Sequence, residues 1–265
     1  MPDQRGAETT NKLLSVDGVS VRFGGIVALD GVSFDVAAGE ICGLIGPNGA
    51  GKTTLFNCLS RLYECDSGGI TFDGIALTTM PKHQIAQLGI GRTFQNLALF
   101  RTMTVLQNVM VGRHCRMGSG FFANSLRLPA VGREESAVAQ RALELVKFLN
   151  LEAEAGVRVA DLPFGTQKRV ELARALAADP KLLLLDEPAS GLNHEEVGQL
   201  GGLIRDIRDR FKVTVLLVEH HMSLVMGISD KVVALNFGRK IAEGTPAYVR
   251  QHAEVIQAYL GAAAT

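Results

Sequence analysis

The sequence predicts an α/β fold with a parallel core sheet, an antiparallel β subdomain beside it and an inserted α-helical subdomain. Three observations predict it. A glycine-rich turn from Gly46 to Thr54 joins a short apolar run to a helical stretch. In the second half, apolar runs alternate with amphipathic stretches, the pattern of strands joined by right-handed crossovers. Between these regions, from Phe94 to about Asp161, the chain changes character and reads as a helical insert.

Met1 to Lys12 reads as a frayed tail. Leu13 to Phe23 alternates in part, through Leu14, Val16, Val19, Val21 and Phe23, as a half-buried strand does. Gly24-Gly25 turns it, Ala28 to Val36 gives a second strand, and Asp30-Gly31 carries a turn signal. Ile41 to Ile45 is apolar throughout, as expected of a parallel strand covered on both faces. Thr54 to Ser60 has no breaker and reads as helix. Ile70-Thr71-Phe72 followed by Asp73-Gly74 reads as half of a hairpin.

In the insert, Thr104 to Arg113 is helical, and Met117 to Arg133 has no assignment. Glu134 to Leu149 puts Val138, Ala142, Leu145 and Leu149 on one helical face. Gly165 to Ala178 is a helix stopped by Asp179-Pro180. Leu182 to Leu185, Val213 to Val218 and Val232 to Leu235 are buried strands. Glu195 to Arg210 is a helix and Phe237-Gly238 a turn. The resulting division is 12–94 for the β subdomain and start of the core, 95–163 for the helical subdomain, and 164–265 for the rest of the core with C-terminal helices.

Composition sets outer bounds. Hydrophobic residues make up 47% of 265 and charged residues 20%, enough for a large core and against disorder. Net charge is zero, so nothing draws the chain generally to nucleic acid. No run of 18 apolar residues is present, so the chain is not expected to cross a membrane alone. Met1 to Asn11 lacks the apolar centre of a signal peptide. The four cysteines show no Cys-x-x-Cys spacing and read as reduced, packed thiols.

The chemistry concentrates in two places. Gly46-Pro47-Asn48-Gly49-Ala50-Gly51-Lys52-Thr53-Thr54 fits G-x-x-x-x-G-K-[ST] at a strand-to-helix turn. Glycines let the backbone curl so that its N–H groups point inward at phosphate, and the helix N-terminus adds partial positive charge. Lys52 is placed to reach the β- and γ-phosphates of a nucleotide, and Thr53 to ligate Mg²⁺. The second place is the apolar run Leu182 to Leu185 ending in Asp186-Glu187. Asp186 reads as a member of the Mg²⁺ shell and Glu187 as the general base for a water. Gln95, at the junction of core and insert, is a candidate for Mg²⁺ or the lytic water. His220, after the strand Val213 to Val218, is a candidate donor to the γ-phosphate; a structural histidine is the competing reading. His221 adjoins it, and neighbouring Cβ directions differ, so one of the two is expected to reach the site.

These residues together resemble the ATP-binding subunit of an ABC transporter, and the resemblance covers nearly the whole chain. It implies a P-loop NTPase (RecA-like) core. Walker A is Gly46 to Thr53, the Q-loop is Gln95, Walker B is Leu182 to Asp186 with Glu187 behind it, and the switch histidine is His220. The signature maps onto Leu162-Pro163-Phe164-Gly165-Thr166-Gln167, the D-loop onto Ser190 to Asn193, and the aromatic that stacks on adenine onto Phe23, for which a core strand residue is the competing reading. Two departures stand out. The usual Leu-Ser-Gly-Gly-Gln has Pro163, Phe164 and Thr166 at its second, third and fifth positions, and Asn193 replaces the D-loop aspartate.

The altered signature, Gly91-Arg92-Thr93-Phe94-Gln95, the insert around Gly118 to Gly132 and the ending from Glu243 to Gly261 are similar to the branched-chain amino acid (Liv-type) importers. The resemblance implies ATP and Mg²⁺, transmembrane permease subunits, and a second, identical or related ATPase subunit whose signature completes the site in trans. It also implies an extracytoplasmic binding protein that acts indirectly, and a place on the cytoplasmic face of the membrane. The groove lined by Gln95 to Arg101, with Asn96, Leu97, Leu99 and Phe100 as the candidates, is expected to receive a short permease helix; ordinary packing inside the helical subdomain is the competing reading. Relatives that carry urea or other small amides, non-transport ABC ATPases and small-molecule kinases are the competing classes.

Overall fold

The computed structural model describes residues 12–93, 97–114 and 129–262. Ten strands occur among them: β1 (Lys12–Phe23), β2 (Ile26–Ala37), β3 (Ile41–Ile45), β4 (Ser67–Phe72), β5 (Ile75–Ala76), β6 (Ile90–Arg92), β7 (Leu182–Asp186), β8 (Thr214–Val218), β9 (Lys231–Asn236) and β10 (Arg239–Gly244). They form two sheets. The smaller is antiparallel in the order β2-β1-β4-β5; the larger has the order β10-β9-β3-β8-β7-β6. In the larger sheet every neighbouring pair is parallel except β10 with β9.

The period of two along each central strand divides the core. Ile41 and Ile45 of β3, Leu183 and Leu185 of β7, and Val215 and Leu217 of β8 face one apolar cluster. Cys42 and Leu44, Leu182 and Leu184, and Leu216 and Val218 face the other, which the antiparallel sheet closes with Leu14, Val16, Val19, Val21 and Val32. Burial on both faces is why these strands read as unbroken apolar runs.

The helices are α1 (Lys52–Leu59), α2 (Ile85–Leu88), α3 (Val105–Gly112), α4 (Pro129–Phe148), α5 (Phe164–Leu176), α6 (His194–Phe211), α7 (Met222–Ile228), α8 (Pro246–Gln251) and α9 (Ala253–Ala262). Thr104 lies outside α3 as its cap: its hydroxyl accepts from Gln107 N–H while the Gln107 side chain accepts from Thr104 N–H. On α4, Val138, Ala142, Leu145 and Val146 are buried, and Leu149 is buried just past its end. That helix starts at Pro129, earlier than the sequence places it, and proline suits a first turn because its absent N–H has no partner there in any case. α3 and α4 are tied to the core loop after α5 through Asp179, which takes ion pairs from Arg113 and Arg141.

One turn expectation fails. Asp30-Gly31 lies inside β2, not between strands. Val19 pairs with Val32 and Val21 with Leu29, so β2 carries an extra residue there as a bulge. Gly31 takes φ +65, and Asp30 N–H donates to the Gly238 carbonyl at 2.8 Å, tying the bulge to the β9–β10 turn. The sequence reading also lacks β6, α7 and β10. The first two are short, at 3 and 7 residues. β10 is a mostly polar edge strand, Arg-Lys-Ile-Ala-Glu-Gly. Gln95 and most of Met117 to Arg133 lie outside the described residues. Among the described residues no helix is long and apolar enough to cross a membrane, and Cys42, Cys58 and Cys65 are free thiols.

Candidate nucleotide-binding site

The loop from Gly46 to Gly51 leaves the carboxyl end of β3 and enters α1. Two of its glycines are compelled by contact as well as by conformation. Gly46 has φ +154, and a Cβ there would lie 2.3 Å from the Leu235 carbonyl oxygen. Gly51 has φ +101, and its Cβ would lie 2.6 Å from the Ala28 carbonyl oxygen. No side chain caps α1 behind Gly51, so the helix start offers bare N–H groups to an anion. The Lys52 ammonium folds over the loop and donates to the carbonyls of Gly46 (2.7 Å) and Pro47 (3.0 Å). Burial lowers its pKa, against the pull of the Glu187 and Asp186 charges.

Above the loop lies a cleft of about 350 Å³, lined by Ile26, Val27 and Ala28, by Asn48, Gly49, Ala50, Gly51, Lys52, Thr53 and Thr54, and by Glu187 and His220. Residues far apart in sequence thus meet around one space. Glu187 follows β7 with φ +49, a left-handed conformation costing a non-glycine residue about 1–3 kcal/mol. Its N–H donates to Val218 at 2.9 Å, and its carboxylate lies 2.8 Å from His220 Nε2. Glu219, 1% exposed, pins the following turn: it accepts from the N–H groups of Ala189 (2.6 Å), His220 (2.9 Å) and His221 (3.2 Å). The two histidines diverge, since His221 Nδ1 meets Glu219 at 3.1 Å while His220 meets Glu187.

Asp186 is buried at the end of β7 and pairs with Arg92 at 2.9 Å. Arg92 also donates to the Phe56 carbonyl (3.2 Å), Asn57 Oδ1 (3.0 Å) and Ser60 Oγ (2.9 Å), so one guanidinium joins Asp186 to the helix that follows the loop. Asp186 N–H donates to Thr93 Oγ1 at 3.3 Å. Sequence reasoning assigned no role to Arg92 or Glu219. The available signal for Glu219 was a carboxylate between an apolar strand and His220; for Arg92 nothing local indicated its partner, 94 residues away.

The remaining predicted residues lie elsewhere. Phe23 ends β1 46% exposed, so it is not a core residue; its ring makes an edge contact with Tyr63 at 5.1 Å and does not line the cleft. Pro163 precedes α5, which no side chain caps. Leu162 and Thr166 are buried, and Gln167 Nε2 turns back to the Leu162 carbonyl at 2.8 Å. Phe164 packs its ring against Gly191, with the Lys168 ammonium 5.6 Å from the ring centre. Pro163, Gly165 and Thr166 line a separate groove with Leu192 and Glu196. Asn193 caps α6 in a reciprocal pair: its side chain accepts from Glu196 N–H at 3.0 Å, and Glu196 accepts from Asn193 N–H at 2.8 Å. Within one chain, then, the segment 162–167 does not join the cleft over the phosphate loop.

Residues 29–190 match the family described as ABC transporter. The chain belongs to that family. Residues 239–265 match a second description, branched-chain amino acid ATP-binding cassette transporter. This cassette is 44% identical over 251 residues to the high-affinity branched-chain amino acid transport ATP-binding protein LivG of Salmonella typhimurium, covering 95% of this chain and 98% of that one. It is 43% identical, with the same coverage, to BraF of Pseudomonas aeruginosa, whose description is otherwise the same. Its fold matches a nucleotide-free ATP-binding cassette from an ABC transporter with TM-score 0.81 and 28% identity, covering 94% and 98% of the two chains. A cassette in its ADP conformation matches with TM-score 0.80 and 29% identity over 94% and 99%. The cassette is an ATP-hydrolysing transporter subunit built on a P-loop NTPase core.

Proposed function

We propose that this cassette drives import of branched-chain or closely related amino acids from the cytoplasmic face of the membrane, bound to transmembrane permease subunits and paired with a second ATPase subunit. The observation that carries the chemical part is the single cleft in which the bare start of α1, Lys52, Glu187 and His220 converge. The amino-acid part rests on the relatives named above and on the match over 239–265.

In this reading Lys52 exchanges the Gly46 and Pro47 carbonyls for phosphate oxygens, a stronger charge-assisted contact. Thr53, exposed on the first turn of α1, and Asp186 would hold Mg²⁺, which neutralises charge on the phosphates when bound. The donor set fits that ion: Mg²⁺ takes one or two carboxylates and fills its shell from phosphate and water, and no cluster of three metal-ligating side chains occurs among the described residues. Glu187 serves as general base for the attacking water, its left-handed backbone turning it toward His220. His220 holds the carboxylate in place and donates toward the γ-phosphate. Gln95, where the helical part 95–163 begins in the sequence, would add a contact to Mg²⁺ or the lytic water. Phe23 supplies an exposed aromatic for adenine. The 162–167 segment of a partner cassette, with its uncapped helix start, closes over the γ-phosphate, consistent with its separation from the cleft in a single chain.

The test is ATP-dependent uptake of labelled leucine into vesicles carrying the complex purified through a tag on this chain. Co-purified permeases and leucine uptake are expected. Uptake of urea in place of leucine would overturn the solute while leaving transport standing. Co-purification with ribosomes or nucleic acid and no membrane protein would overturn transport.

A further inference from the structure

The C-terminal helix reaches back to the phosphate loop across the whole length of the chain. Tyr259 on α9 accepts a hydrogen bond from the Gly46 N–H through its hydroxyl oxygen at 2.9 Å, a contact between residues 213 apart. Gly46 is the point where β3 stops and the loop begins. The last residue of β3 paired to a neighbouring strand is Ile45, opposite Ala234, and Tyr259 provides the acceptor for the first amide beyond the ladder. On its other side Gly46 is closed in by the Leu235 carbonyl oxygen, 2.3 Å from where a Cβ would stand, and by Ala50.

The two halves of the Gly46 peptide environment behave differently. Its carbonyl is held by the Lys52 ammonium at 2.7 Å, and that contact must break when the lysine turns to phosphate. Its N–H is held by Tyr259, which has no part in phosphate binding and does not need to move. Burial raises the Tyr259 pKa, against the Gly46 contact, so the phenol stays neutral. The half-buried ring also forms one wall of an open cleft of about 480 Å³ with Met222, Met226, Arg250, Val255 and Ile256, and its helix packs on α8 and on the edge strand β10.

We propose that Tyr259 is a positioning residue for nucleotide binding: it fixes the first residue of the phosphate loop once Lys52 has left it, and makes the C-terminal helix a determinant of nucleotide affinity. The proposal rests on the reading of that loop as the nucleotide site.

The experiment uses the full chain with ATP and ADP. Tyr259→Phe keeps the ring and removes the acceptor. Losing one neutral hydrogen bond is expected to weaken binding about two- to tenfold. ATP and ADP should be weakened alike, because the tether does not touch the γ-phosphate. KM for ATP should rise by the same factor while kcat at saturation stays within about twofold, as for loss of uniform binding. In a ¹H–¹⁵N spectrum the Gly46 amide proton should move upfield. Val255→Ala, which opens the same helix's buried packing, should lower Tm without this affinity loss. Unchanged nucleotide affinity in Tyr259→Phe would overturn the proposal, and so would an equal loss in Val255→Ala. A wild-type chain that binds no ATP would remove the nucleotide-site reading itself, a result distinguishable from either.

Discussion

Replacing Arg92 with alanine is expected to destabilise the fold strongly, because Arg92 and its charged partner Asp186 are almost fully withdrawn from water. The side chains of Arg92 and Asp186 are 9% and 4% exposed and lie 2.9 Å apart. Removing one member of a buried pair leaves the other charge uncompensated, at a cost of about 3–5 kcal/mol. The carbonyl of Phe56 and the side chains of Asn57 and Ser60 lose a donor in the same step. For a chain of this size about 1 kcal/mol corresponds to 2–4 °C, so Tm should fall by roughly 6–20 °C. Urea unfolding without nucleotide gives the direct measure. A second variant separates charge from packing. With Asp186→Asn added to Arg92→Ala, no charge is stranded, and the double variant should be at least about 1 kcal/mol more stable than Arg92→Ala alone. A loss below about 1 kcal/mol in Arg92→Ala, or simple additivity in the double variant, would refute the reasoning.

Glu187→Gln should bind ATP and accumulate as an ATP-bridged dimer, with turnover reduced about 10²–10⁴-fold as for loss of a general base; near-normal steady-state hydrolysis removes that role. Asp179 gives a pH test. Burial opposes its charge, yet the hydrogen bonds and charges of Arg113 and Arg141 hold its carboxyl below the ordinary value. A lowered folded-state pKa means that the stabilisation is present above the ordinary carboxylate value of about 4 and fades as pH falls below it. The Asp179 side chain is 43% exposed, so Asp179→Asn should cost no more than about 1 kcal/mol at pH 7. That difference should shrink as pH falls below about 4 and be lost once pH has passed below the lowered folded-state pKa, and a difference independent of pH would reject the ion-pair account. The purified subunit should sediment as a monomer without nucleotide and hydrolyse ATP slowly, since a hydrogen bond to a charged group, absent at Pro163, is worth about 1.5–3 kcal/mol; a tight nucleotide-free dimer with brisk turnover would show that the altered signature costs nothing.

What was legible in the sequence was local. The phosphate loop announces itself because its glycines, lysine and threonine act within nine consecutive residues at a strand-to-helix turn. Asp186-Glu187 was legible because a strand buried on both faces must be apolar, so two acids at its end stand out. Arg92, Glu219 and Tyr259 were not legible in these terms. Arg92 and Tyr259 act on partners brought close only by the sheet order or by the C-terminal helix folding back, and Glu219, beyond its neighbours His220 and His221, reaches Ala189, 30 residues away. Asp30-Gly31 misled for the opposite reason: its local chemistry favours a turn, and pairing with β1 turned it into a bulge whose N–H serves the neighbouring hairpin.

The two departures from the family's pattern have different physical meanings. An asparagine side-chain oxygen caps a helix as well as a carboxylate does, and Asn193 makes the full reciprocal pair with Glu196 at the start of α6. The local structure after Ser190 therefore survives that exchange, and what is lost is a negative charge. The signature is different. Pro163 supplies no capping oxygen to α5, and Phe164 spends its ring on Gly191 and the Lys168 ammonium rather than leaving a flexible glycine at the helix start. A proline before the helix and a packed aromatic on its first turn restrict the backbone where the usual motif carries serine and glycine. The first-turn amides of α5 remain uncapped, so attraction for an anion persists through the helix dipole alone. The segment thus exchanges one directional hydroxyl contact for a more rigid presentation of backbone donors. In the proposed pairing of two cassettes, closure would then rest more on ATP itself, its γ-phosphate bridging a rigid helix start on one subunit and Lys52 on the other.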